Sequence, residues 1–101
     1  MLFMVEGGLF MAEIIKKASA GTLESSDAFV EVSPGKGTEI ELESVVLDQF
    51  GDAIRALVRA TLQKEGIRDV KVRIVDRGAL DCVLEARLET ALQRGKGKDT
   101  L

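Results

Sequence analysis

The stretch Thr38-Glu39-Ile40-Glu41-Leu42-Glu43-Ser44-Val45-Val46-Leu47-Asp48-Gln49-Phe50-Gly51-Asp52-Ala53-Ile54 changes its hydrophobic period part-way. As far as Glu43, apolar and acidic residues alternate. That sets Ile40 and Leu42 on one side of a strand and three glutamates on the other. From Leu47 onward, Leu47, Phe50, Ile54, Leu57, Val58 and Leu62 step by three and four, the inward stripe of an amphipathic helix. A strand that leads straight into a long helix, in a chain of 101 residues, predicts one small α+β domain.

The helix has readable ends. Ser44 is placed to be its N-cap and Gly66 to end it as a C′ glycine. Asp48 and Asp52 lie toward the start and Arg55, Arg59 and Lys64 toward the end, in the sense that suits the helix dipole. Gly51 in its interior costs about 1 kcal/mol against alanine, for which a close-packed neighbour is one reason. Upstream, Ala28-Phe29-Val30-Glu31-Val32-Ser33 reads as another strand, and Pro34-Gly35-Lys36-Gly37 as a turn. The two strands then predict a β-hairpin within an antiparallel sheet.

Downstream, Val70 to Val75 alternates as a strand and Asp76-Arg77-Gly78-Ala79 is a turn. Residues 80–93 fit two periods. Cys82, Leu84, Ala86 and Leu88 alternate, whereas Leu80, Leu84, Leu88 and Leu92 form a helical stripe. The expectation is a strand from about 81 to 88 running into a short helical tail. Residues 11–27 show no sustained period and read as a mobile, irregular lead-in, with Ile14 and Ile15 able to add an edge pairing. Glu6-Gly7-Gly8, just ahead of Met11, is what a purine-rich ribosome-binding sequence encodes, which predicts synthesis from Met11. The expected organisation is therefore a flexible extension over 1–20 and a folded domain over 21–101, with Arg94 to Lys98 as a frayed basic end.

Composition removes several classes of function. The chain contains no histidine, which excludes His-based triads, His proton shuttles and the usual zinc sites. A net charge of -3 argues against a nucleic-acid backbone as the main ligand, and four phenylalanines without Tyr or Trp offer no base-stacking platform. A single cysteine permits no internal disulfide and fits a reducing, cytoplasmic setting. No run reaches membrane-spanning length. An enzyme that works alone is therefore the poorest reading.

Few side chains remain for chemistry. Cys82 follows Asp81, whose charge disfavours a thiolate, and on the alternating reading it faces the core as a small hydrophobe. Glu31, Glu39, Glu41 and Glu43 lack the loop pattern of a calcium site and read as a solvated strand face. Pro34-Gly35-Lys36-Gly37 lacks phosphate-loop spacing. Asp76-Arg77-Gly78-Ala79-Leu80-Asp81 reads as a salt-bridged turn or, alternatively, a docking epitope. Ser25 and Ser26, in Gly21-Thr22-Leu23-Glu24-Ser25-Ser26-Asp27, are either turn residues or hydroxyls that a separate enzyme modifies, since no base is near to activate them.

Three stretches carry a resemblance: GTLESSD (Gly21–Asp27), QFGDAIR (Gln49–Arg55) and VDRGALDCVLEARLE (Val75–Glu89). In that order they resemble the acyl carrier protein of citrate lyase, its gamma chain, from about Lys17 to Arg94. The resemblance implies that Ser25, the serine after Leu-Glu, carries a covalent 2'-(5''-phosphoribosyl)-3'-dephospho-CoA arm through a phosphodiester, with Ser26 as the alternative attachment point. It implies that the arm's thiol holds acetyl or citryl as a thioester while citrate is cleaved to acetate and oxaloacetate. The implied partners are an alpha subunit that exchanges acyl groups, a beta subunit that cleaves the citryl thioester, and a transferase that attaches the arm. Neither nucleic acid nor membrane is among them, and no catalytic or metal-binding residue is implied in this chain. The Asp-Ser-Leu motif of fatty-acid and polyketide carriers is absent. The rival reading is a non-catalytic assembly or regulatory module without an arm.

Overall fold

A computed structural model describes residues 12–97 of the chain. Its elements are β1 (Ala18–Gly21), β2 (Ala28–Pro34), β3 (Thr38–Ser44), α1 (Leu47–Glu65), β4 (Val70–Asp76) and α2 (Asp81–Gly95). The fold is α+β, a four-stranded mixed sheet in the order β1-β2-β4-β3. The expected start at Met11 lies outside the described residues.

The hairpin expected from β2 and β3 does not form. β4 inserts between them, antiparallel to β2 and parallel to β3, and both Pro34 and Thr38 pair with Val70. Gly35 to Gly37 therefore bridge across the start of β4 instead of folding β3 back onto β2. The Gly37 N–H donates to Asp69 Oδ1 (2.9 Å), and the Val70 N–H donates to the Gly37 carbonyl (3.0 Å). Burial explains the order. Val70, Val72 and Ile74 are fully buried and Val75 nearly so, which a central strand requires. β3 exposes Glu39, Glu41 and Glu43, a composition suited to an edge.

Both helices cover one face of the sheet. Val30, Val32, Val72 and Ile74 meet Ile54, Val58 and Leu62 of α1 and Leu84, Leu88, Ala91 and Leu92 of α2. Lys64 of α1 reaches across to Glu89 (2.7 Å) and Glu85 (3.2 Å) of α2, and these carboxylates, Glu89 first, raise its pKa. Gly66 ends α1 in the left-handed region (φ 70°), with the Ile67 N–H on the Leu62 carbonyl. Ser44 is not the N-cap. Val46 holds that position, and Ser44 Oγ instead accepts the Val46 N–H (3.1 Å) and donates to Asp76 (2.8 Å). The first turn of α1 overhangs the core, so Leu47 and Phe50, read as inward, are exposed. Gly51 is crowded by Leu47 and Arg55 of its own helix and not by a neighbouring element.

The largest departure from the sequence reading lies at the C-terminal end. Residues 81–95 form one helix, not a strand with a tail, because Leu84, Leu88, Ala91 and Leu92 can then all enter the core together. Cys82 consequently faces solvent instead of the core. The basic end is packed over Arg94 to Lys96. Arg94 Nη1 donates to the Ser19 carbonyl (2.8 Å), Lys96 pairs with Glu65 (3.0 Å), and Gly95 is held against Val32 and Ile14. The lead-in is likewise part of the domain: Ile14 is buried, and β1 crosses the boundary expected at residue 20 by pairing with β2 from Ala18.

Candidate functional site: the serine turn between β1 and β2

β2 begins, β3 and β4 end, and both helices begin at the same end of the sheet. The loop Thr22–Asp27 closes that end. The Asp27 N–H donates to the Glu24 carbonyl (3.1 Å), making a four-residue turn with Ser25 and Ser26 at its two corners. Ser26 takes a left-handed conformation (φ 64°), the only non-glycine residue to do so among the described residues. Ser25 is exposed, and its hydroxyl bonds to no described residue.

Below this tip the loop is tied down. The Asp27 carboxylate accepts both Nε and Nη2 of Arg87 (3.0 Å each), the Thr22 hydroxyl (2.7 Å) and the Ala28 N–H (2.7 Å). This planar fork from α2 is the geometry in which Arg and a carboxylate pair best. Two main-chain bonds add a second tie: the Ser26 N–H donates to the Arg77 carbonyl (2.8 Å), and the Arg77 N–H donates to the Asp27 carbonyl (2.9 Å). Gly21 completes the base at φ 94°, where a Cβ would strike the Ala28 carbonyl oxygen and meet Arg87 Cδ. Ser25 thus stands on a clamped turn and not, as the composition suggested, on a loose arm.

The Arg87 fork, the Thr22 hydroxyl and the Ala28 amide hold the Asp27 carboxyl far below the ordinary value of 3.8. A depressed carboxyl stabilises the fold above the unfolded pKa and loses that contribution as pH falls through the folded one. The clamp is therefore complete at neutral pH and weakens only in acid well below 3.8. Arg87→Gln removes the leading cause, so the Asp27 carboxyl should titrate closer to 3.8, as carboxyl-carbon NMR would report. An unchanged midpoint would show that Arg87 does not hold it.

Asp76-Arg77-Gly78-Ala79-Leu80-Asp81 is not a salt-bridged turn. The Asp76 carboxylate is buried and accepts Ser44 Oγ and the N–H groups of Gly78 and Ala79, so it shapes the exit from β4. Arg77 is exposed and pairs with neither acid. From Gly78 a cleft of about 610 Å³ opens between the starts of α1 and α2, lined by Val46, Phe50, Ile54, Leu80, Cys82 and Leu84. A second depression of about 320 Å³, by Thr38 and Gly66, lies at the opposite end of the sheet. The sequence reading singled out Ser25 and named Arg77 only as part of its turn, and it did not point to Arg87, because no periodicity signals a bond across 60 residues.

A family model described as "ACP: Malonate decarboxylase delta subunit (MdcD)" matches residues 15–95. The citrate lyase acyl carrier protein of Escherichia fergusonii is 52% identical over 84 residues, covering 81% of this chain and 87% of that protein. Its counterpart in Yersinia enterocolitica is 52% identical over 91 residues, covering 88% and 94%. The chain belongs to the citrate lyase acyl carrier protein family. Among solved structures, a chain of a Pseudomonas malonate decarboxylase hetero-tetramer in complex with malonate shares the fold, at TM-score 0.73, with 21% identity over 82% of this chain and 87% of that one. The family match thus takes in β1 and the whole of α2, the two parts that the sequence had left as arm and uncertain tail.

Proposed function

We propose that this chain is the acyl carrier subunit of citrate lyase, working in the cytoplasm, and that Ser25 bears a phosphoribosyl dephospho-coenzyme A arm through a phosphodiester. The observation that carries the reading is the Ser25 hydroxyl itself, exposed and unbonded at the tip of a turn whose base is fixed by Asp27 and Arg87. The site fits such a group: a primary alcohol with open space before it and no side chain to be displaced. When attached, the arm supplies a thiol that holds acetyl or citryl groups as thioesters.

The chain's own residues do the presenting. Thr22, Asp27 and Arg87 fix the direction in which Ser25 points, and Ser26 takes the left-handed corner that turns the chain back into β2. No described side chain hydrogen-bonds the Ser25 hydroxyl to activate it, so a separate transferase supplies the proton acceptor. Tethering makes encounters with an acyl-exchanging alpha subunit and a citryl-cleaving beta subunit intramolecular, which raises the effective concentration at both. No catalytic residue of this chain is needed.

The test is the intact mass of the protein purified from its native host during citrate cleavage, followed by peptide fragmentation. An added mass equal to the arm, mapped to Ser25, is the expected result. The same mass on Ser26 keeps the function and moves the site. An unmodified protein overturns the carrier reading in favour of an assembly module.

A further inference from the structure

Among the described residues, two arginines are bonded to the serine turn, Arg87 through its side chain and Arg77 through its main chain. Arg87 spends both arms of its guanidinium on Asp27. Arg55, farther off on α1, lies 3.6 Å from Asp52. Arg77 is different. Its main chain is bonded to Ser26 and Asp27, which fixes its Cα beside the turn, while its exposed side chain pairs with no described residue. A core-facing role is closed to it, since β4 has ended at Asp76 and the chain turns outward through Gly78 (φ 93°). The surroundings are acidic: Glu24 stands next to Ser25, and Asp81 opens α2.

We infer that Arg77 is the residue that holds the phosphate joining the arm to Ser25. The inference rests on the carrier reading above and adds to it a specific contact for the loaded protein. A phosphodiester on Ser25 places a negative charge beside Glu24, and Arg77, whose main chain is bonded to Ser26 and Asp27, brings an uncommitted positive charge to the same turn. A guanidinium matches a phosphate with two parallel N–H···O bonds, which an ammonium cannot reproduce. Arg77 thereby fixes the root of the arm while the rest stays free to travel. Its main chain needs no further ordering, because the bonds that set it are present before loading, and only the side chain gives up rotamer freedom.

The test is phosphorus NMR of the loaded protein, comparing wild type with Arg77→Gln and Arg77→Lys. Arg68→Gln makes the same charge change at the opposite end of the sheet and serves as the control. Raising KCl to about 1 M, where the Debye length is about 3 Å, weakens an exposed pair. The serine phosphodiester resonance is expected to shift with salt in wild type and in Arg68→Gln, to shift less in Arg77→Lys, and to lose that response in Arg77→Gln. An identical resonance and salt response in Arg77→Gln and wild type overturns the inference. If Arg77→Gln cannot be loaded but Arg77→Lys can, the need for a cation at this position is upheld. If neither loads while Arg68→Gln does, the side chain serves the transferase and the inference falls. Failure of the carrier reading looks different, since the wild-type protein then shows no serine phosphodiester at all.

Discussion

Ser25→Ala is expected to abolish the covalent adduct while leaving the fold intact. The side chain is exposed and makes no bond, so its loss belongs with surface changes of within about 0.5 kcal/mol. In a domain of this size that moves the melting temperature by no more than about 4 °C. Ser26 gives the contrasting result. Its φ of 64° suits glycine and penalises a β-branched side chain. Ser26→Gly should therefore load normally and stay within about 1 kcal/mol of wild type. Ser26→Val should lose about 1–2 kcal/mol and deform the turn that presents its neighbour. Intact mass and thermal melts of these variants separate attachment from support. An adduct that persists in Ser25→Ala and vanishes in Ser26→Gly would reverse the two roles.

Leu88→Ala carries the largest expected loss of stability. Leu88 is fully buried between α2 and the sheet, where truncation to alanine typically costs about 2–5 kcal/mol. Domains of this kind are stable by only about 5–15 kcal/mol, so the variant should unfold at markedly lower urea with an unchanged slope. Cys82→Ser is the companion measurement. On the helix Cys82 is exposed and its replacement should be near neutral, whereas on a strand alternating with Leu84 it would be a core change. A large loss for Cys82→Ser would mean that residues 81–88 are not helical as described. Both variants also bear on the site, because Arg87 sits beside Leu88 on α2 and reaches Asp27 only from that helix.

The sequence by itself determined what depends on neighbours along the chain. The alternation of Thr38 to Glu43, the stripe from Ile54 to Leu62 and the glycine at 66 each report a local conformation, and each stands in the structure. The Leu-Glu-Ser context singled out Ser25 as the residue to consider. Tertiary structure alone decided the rest. Whether β3 folds back on β2 or leaves room for β4 depends on which strand brings the most apolar side chains to the covered face, and that competition is settled only when all the strands are present. Residues 80–93 satisfied two periods equally well on paper. The helix wins because a sheet face was waiting for Leu84, Leu88 and Leu92 together. The serine turn shows the same division. Its composition looked loose, yet Arg87 and the Arg77 main chain clamp it from 60 and about 50 residues away, and contacts over such separations leave no mark on local pattern.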